Sequence, residues 1–265
     1  MKKVIALLSL VALVGLLTAL LWIGPASAQG KNVCAGLPDY AALQAALKKA
    51  RAEVNGGFNL DMWATVVNRD GVVCAVTFTG KDRGAQFPAA RVISAQKANT
   101  ANALSLPQLA LSTANLYSAV QPGGSLFGLQ ESNPVDTAVA YGGDPANYGQ
   151  DKDPMVGKRI GGLNVFAGGL ALYAADKTLV GAIGVSGDSS CADHNIVWKT
   201  RYNLMLDNVP SGMNPPGNDN IIYDIKPDAN GHPVSASGWG HPECSKDATA
   251  IGQDLPTKFP IGHKP

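Results

Sequence analysis

Residues 161–187, GGLNVFAGGLALYAADKTLVGAIGVSG, decide the fold. They read as two strands joined by a tight turn. Leu170, Leu172 and Tyr173 lead into the polar turn Ala174-Ala175-Asp176-Lys177. Leu179, Val180, Ala182, Ile183 and Val185 then form a nearly continuous apolar run, the pattern of a strand buried on both faces. Gly168 and Gly169 open the hairpin, and Ser186-Gly187-Asp188 closes it before a helix. Glycine at such places lets a second backbone, or a ligand, come close.

The flanking elements are local. Upstream, residues 62–67 and 72–79 form a second hairpin across Asn68-Arg69-Asp70-Gly71, where Asp-Gly suits a turn of positive φ. Residues 39–54 form a helix that starts at Pro38-Asp39 and ends at Gly56-Gly57. Residues 86–104 form a long alanine-rich helix, and Pro107 blocks its continuation. Residues 109–119 read as a short helix. Residues 121–162 are irregular and rich in Gly, Pro, Asn and Asp, and loops of that length tend to be functional or mobile. Tyr141, Tyr148 and Met155 lie there and read as local packing. Downstream, residues 189–206 form the last core helix, with Ser189 or Ser190 as N-cap. Residues 209–265 carry Pro215, Pro216, Pro227, Pro233, Pro242, Pro256 and Pro260, which predict an irregular extension. Trp239 and Cys244 predict that it packs on the domain. Two local hairpins with helices between them predict an α+β domain: one antiparallel sheet, helices over one face, and the tail outside.

The first 28 residues stand apart from this domain. Lys2 and Lys3, the apolar run 4–24 and Ala26-Ser27-Ala28 have the form of a signal peptide with a small-residue cleavage site. Retention of the run as an anchor is the alternative. No later segment has the length and hydropathy of a membrane span. The chain carries 21 basic and 20 acidic residues. That near-neutral balance argues against nucleic acid as the main partner. Cys34, Cys74, Cys191 and Cys244 in a secreted or periplasmic chain predict disulfides. Four cysteines allow three pairings, of which Cys191–Cys244 with Cys34–Cys74 is favoured, because the first would fasten the tail to the last core helix.

No Ser-His-Asp motif, P-loop, dinucleotide fingerprint or H-E-x-x-H segment is present. Two features carry chemistry. Lys97 shares a helical arc with Ala90, Ile93, Ala101 and Leu104, so a cation stands within an apolar stripe. It either snorkels to water or faces an acidic ligand group. His194 shares a face with Trp198, Arg201 and Met205. An imidazole for a metal, an indole for stacking and a guanidinium for a carboxylate would suit a planar anionic cofactor. Packing beneath the tail is the alternative. Asp193 beside it suits a helix N-terminus.

Three segments resemble the GlcG/HbpS family of haem-binding proteins: Val67-Asn68-Arg69-Asp70-Gly71, Ala95-Gln96-Lys97-Ala98-Asn99-Thr100-Ala101, and Gly168-Gly169-Leu170-Ala171-Leu172-Tyr173 followed by residues 179–187. The similarity spans about residues 39–206, with Asp193 at the usual acidic position. It implies a profilin-like fold over residues 29–208 with an insertion at about 121–162, self-association into a homo-oligomer, and non-covalent interaction with haem or a related tetrapyrrole. Ala171 stands where the family usually has proline, and the tail is additional. Together these readings predict an exported haem-binding protein. Its pocket lies beside Gly168 and Gly169, between the helices of Lys97 and His194, with His194 toward the metal, Lys97 and Arg201 toward carboxylates, and Asp193 nearby. A small-molecule enzyme or accessory factor of an oxidative pathway, using the same pocket without haem, is the second reading.

Overall fold

A computed structural model describes residues 33–215 and 217–262. The predicted leader lies outside the described residues. The chain divides into two units, Met1–Ala35 and Gly36–Pro265, and the second holds the fold. Its elements are α1 (Tyr40–Ala52), β1 (Trp63–Asn68), β2 (Val73–Phe78), α2 (Ala90–Leu104), a short α3 (Thr137–Ala140), β3 (Gly169–Tyr173), β4 (Leu179–Ser186), α4 (Ser190–Asn203), β5 (Ile225–Pro227), β6 (Pro233–Ser235) and α5 (Lys246–Lys258). Asp39 caps α1 by accepting the Ala42 N–H at 2.8 Å, as the Pro-Asp start predicts.

The main sheet has the order β2-β1-β4-β3, and every neighbouring pair is antiparallel. The two hairpins therefore meet through β1 and β4, with Thr65 opposite Gly184. The α+β class holds. The expectation of helices over one face does not. Ala64, Val66, Ile183 and Val185 point to one side and pack with Leu43 and Leu47 of α1 and Ile196 and Val197 of α4. Trp63, Val67, Val76 and Ala182 point to the other and pack with Ala95, Ala98 and Ala101 of α2. The reason lies in the strands: all six residues of β1 are buried. An apolar strand on both faces needs cover on both.

Helix α2 lies directly on β4. A Cβ at Gly184 would collide with the Ser94 carbonyl and come within 2.5 Å of the Ala98 nitrogen. Glycine is thus required for a backbone-to-backbone approach. The segment 121–162 is anchored on this face, since Ala140, Met155 and Ile160 join the α2 core. Arg91 of α2 donates to both Asp153 oxygens and to the Ala140 carbonyl.

The tail is more regular than its prolines predict. It forms the β5–β6 hairpin and the thirteen-residue α5. Pro256 lies inside α5, where it cannot donate to the carbonyl four residues back. That carbonyl, Gly252 O, instead accepts Asn220 Nδ2 at 2.8 Å. A disulfide joins Cys191 to Cys244, with Cα atoms 5.9 Å apart. Cys34 and Cys74 are also disulfide-bonded. Among the described residues no helix is long and apolar enough to cross a membrane.

Candidate functional site

Where β4 ends and α4 begins, the chain runs Ser186-Gly187-Asp188-Ser189-Ser190, and it shares one cleft with Ala90 and Ile93 from the first turn of α2. Ser189 is the N-cap of α4, and its hydroxyl accepts the Ala192 N–H. This junction floors a cleft of about 430 Å³. Phe87, Ala89, Ile93 and Phe166 supply its apolar lining. Phe87 and Phe166 are 60% and 57% exposed, although both are large and apolar. Lys97, Ser186, Asp188, Ser190 and Asp193 supply the polar floor.

Lys97 does not snorkel. It is buried, and its Nζ donates to Asp193 Oδ2 at 2.7 Å, Val185 O at 3.1 Å and Ser186 Oγ at 3.3 Å. All three ammonium protons are thereby used. The other Asp193 oxygen accepts the Asp188 N–H at 2.9 Å. Burial lowers the Lys97 pKa against the pull of Asp193. Burial likewise pushes the Asp193 carboxyl up to about 6, although Lys97 draws it down. The pair is a buried, hydrogen-bonded ion pair on the cleft floor. Asp188 accepts the N–H groups of Phe58 at 2.8 Å and Leu60 at 3.0 Å.

Gly168 and Gly169 do not line the cleft. Gly168 has φ +117°, and a Cβ there would collide with the Val185 carbonyl and stand 3.1 Å from Lys97 Nζ. A Cβ at Gly169 would lie 2.5 Å from the Lys97 carbonyl oxygen and 2.6 Å from Thr113 Cγ2. The glycines make room for protein, not for a planar ligand.

His194 and Arg201 lie elsewhere. His194 is fully buried. Its Nε2 accepts the Ile221 N–H at 3.1 Å and stands 3.0 Å from Asn220 Oδ1. Its Nδ1 has no hydrogen-bond partner. Burial depresses its pKa to about 4, so the ring is neutral and sealed beneath the tail. Arg201 makes a forked pair with Asp219 at 2.6 and 2.8 Å and donates to Ala171 O at 3.1 Å. The tail supplies the carboxylate that a ligand was expected to bring. Asp193 and His194 are adjacent in sequence, but a helix separates neighbours by about 100°. Asp193 therefore turns toward Lys97 and His194 away from it. The expected convergence of Lys97, His194 and Arg201 does not occur.

The histidine that does approach the cleft is His241, from the tail. Ser190 lines the cleft, and its Oγ lies 2.9 Å from His241 Nε2. His241 Nδ1 lies 2.7 Å from the Pro242 carbonyl. A carbonyl only accepts, so Nδ1 carries the proton and Nε2 accepts from Ser190. A histidine in a proline-rich tail would ordinarily be solvated, but His241 is not. It is 4% exposed, and burial depresses it to about 4. Only His-Pro-x-Cys beside a bridged cysteine could have signalled this. Cys191, His241 and Cys244 place potential ligand atoms within 4.8 Å of one another. Both sulfurs are consumed in the disulfide, so they do not form a thiolate metal site.

An antiparallel sheet between helical layers, with a cleft of apolar and polar lining where β4 runs into α4, defines an α+β domain with one candidate ligand cleft. The chain belongs to the HbpS-like family, described as haem-degrading proteins, whose profile matches residues 40–200. Among solved structures, it is similar to the Klebsiella pneumoniae protein ORFY, with 24% identity and a TM-score of 0.43 over 63% of this chain and 90% of that one. It is also similar to PduOC in a haem complex, with 20% identity and a TM-score of 0.42 over 62% of this chain and 89% of that one. It matches no curated protein.

Proposed function

We propose that this chain binds haem or a related tetrapyrrole non-covalently in the cleft between Phe87 and Phe166. The observation that carries this reading is a pair of exposed phenyl rings lining one cleft with the buried Lys97–Asp193 pair, within a chain of the HbpS-like family. Apolar walls with a few placed polar groups are the usual form of a cofactor site. The floor offers the Ser186 and Ser190 hydroxyls and the Asp188 carboxylate beside the closed Lys97–Asp193 pair, with no imidazole or thiolate among its lining residues. Binding here rests on enclosure of the ring, and Phe87, Ile93 and Phe166 hold it. When bound, haem would supply redox chemistry at its iron.

Two disulfides suit an oxidising compartment, which supports placement outside the cytosol. Self-association is part of the same proposal. The alternative is an enzyme or accessory factor that uses this cleft without haem. Titration of haem into the protein, followed at the Soret band, tests the proposal. Phe166→Ala should weaken binding about 10-fold, as expected for losing most of an aromatic contact. His194→Ala, if folded, should leave the spectrum unchanged. No Soret change in the wild-type protein, or loss of the spectrum in His194→Ala, would refute this site.

A further inference from the structure

Ser190 and His241 have a relation that haem binding does not use. We propose that Ser190 is a nucleophile activated by His241, and that the cleft accepts small acyl esters with an apolar acyl or alcohol group.

Three independent placements support this. Ser190 lines the cleft and is only half-buried. His241 Nε2 is 2.9 Å from that hydroxyl, and the Pro242 carbonyl fixes the proton on Nδ1 at 2.7 Å. This is the nucleophile, base and orienting group that hydroxyl activation requires. Ser190 is also the first residue of the fourteen-residue α4, so the positive end of a helix faces charge that develops at the attacked carbonyl. The Ala167 N–H, 2.9 Å from Ser190 Oγ, holds the side chain in this rotamer. The Tyr117 ring, with its centroid 5.3 Å from that of His241, and the nearby Cys191–Cys244 bridge hold the base in place. Burial keeps the imidazole neutral but lowers its basicity, so the proton moves to it only as the new Oγ–carbon bond forms.

The steps balance. Ser190 Oγ bonds to the ester carbonyl carbon while its proton moves to His241 Nε2. The ester C–O bond breaks, and Nε2 passes the proton to the departing alcohol. Water then adds to the acyl carbon and gives its proton to Nε2. The acyl–Oγ bond breaks, and Nε2 returns the proton to Ser190. Phe87 and Phe166 would seat the apolar group. His241 lies beyond the family-matched span of 40–200, so this assembly is a property of the tail.

The experiment uses haem-free protein, a fluorophosphonate probe and p-nitrophenyl acetate. The expected result is one phosphonylated residue, mapped to Ser190, and turnover of the acetate. Ser190→Ala should abolish both, and His241→Gln should slow labelling about 100-fold, the usual weight of a general base. If His241→Gln does not fold, peptide mapping and Ser190→Ala decide. No labelling of wild-type protein, labelling that persists in Ser190→Ala, or equal labelling in a folded His241→Gln variant would overturn the proposal. Haem titration of the wild-type protein reads the binding proposal separately.

Discussion

Replacing Lys97 by Met tests the polar floor most directly. The side chain keeps its length and loses its charge. Three hydrogen bonds disappear: those to Asp193 Oδ2, Val185 O and Ser186 Oγ. Asp193, whose side chain is 3% exposed, is left buried without its counter-ion. Breaking one half of a buried pair costs about 3–5 kcal/mol. Total stability of a domain is on the order of 5–15 kcal/mol, so the loss should dominate a urea melt. Its pH trend is the sharper test. The folded Asp193 pKa lies above the ordinary aspartate value of 3.8, at about 6, and removing Lys97 raises it further. A raised carboxyl binds a proton in the folded state, so the penalty shrinks as pH falls below its folded pKa. Lys97→Met should therefore cost less at pH 5 than at pH 8. Asp193→Asn makes the opposite case. It strands a buried ammonium whose pKa burial has already lowered, and its cost should grow as pH falls through that pKa. Opposed slopes, each measured against wild type at the same pH, identify the ion pair. Parallel slopes, or losses below about 1 kcal/mol in both variants, would refute it.

Two other perturbations address the frame. Gly184→Ala should destabilise by about 3 kcal/mol in chemical denaturation, because the added Cβ meets helix backbone at Ser94 and Ala98 and cannot rotate away; a change below about 0.5 kcal/mol would show that α2 does not rest on β4. Acidification from pH 7 to pH 4 should lower stability by a net amount on the order of 3 kcal/mol. His194 and His241 are each depressed from 6.5 to about 4, so each stabilises fully above 6.5 and progressively less as pH falls toward 4, while raised Asp193 opposes one of them; a flat stability curve between pH 7 and 4 would refute this.

The strands were legible because their signals are local. The apolar run from Leu179 to Val185 and the Asp-Gly turn at residue 70 predict hairpins, and the hairpins exist. What joins them is not local. The pairing of β1 with β4 spans more than a hundred residues, and family resemblance anticipated it better than periodicity could. The two-faced burial of β1 was visible in Met62-Trp63-Ala64-Thr65-Val66-Val67 but was read with cover on one side only. The tail was misjudged by counting prolines. Pro256 is tolerated because an asparagine from another segment takes the freed carbonyl, and no single-segment rule contains that partner.

The site shows why a helix face is a weak guide to chemistry. His194, Trp198 and Arg201 do share a face, as their spacing requires, and Arg201 stacks 4.9 Å from the Trp198 ring. That face is covered by residues 219–221 of the tail, whose Asp219 and Ile221 occupy the positions imagined for a ligand's carboxylate and metal. Buried charges demand partners. A chain with a long extension can supply them from within, so convergent polar residues beneath such an extension read first as its docking ground. The same extension carries His241 to the far end of the helix, where Ser190 meets the cleft. One segment thus seals the helix face whose residue types suggested a ligand, as packing beneath the tail would have it, and completes the Ser190–His241 pair that sequence passed over. The distinction between them is exposure: Ser190 lines the cleft and His194 does not.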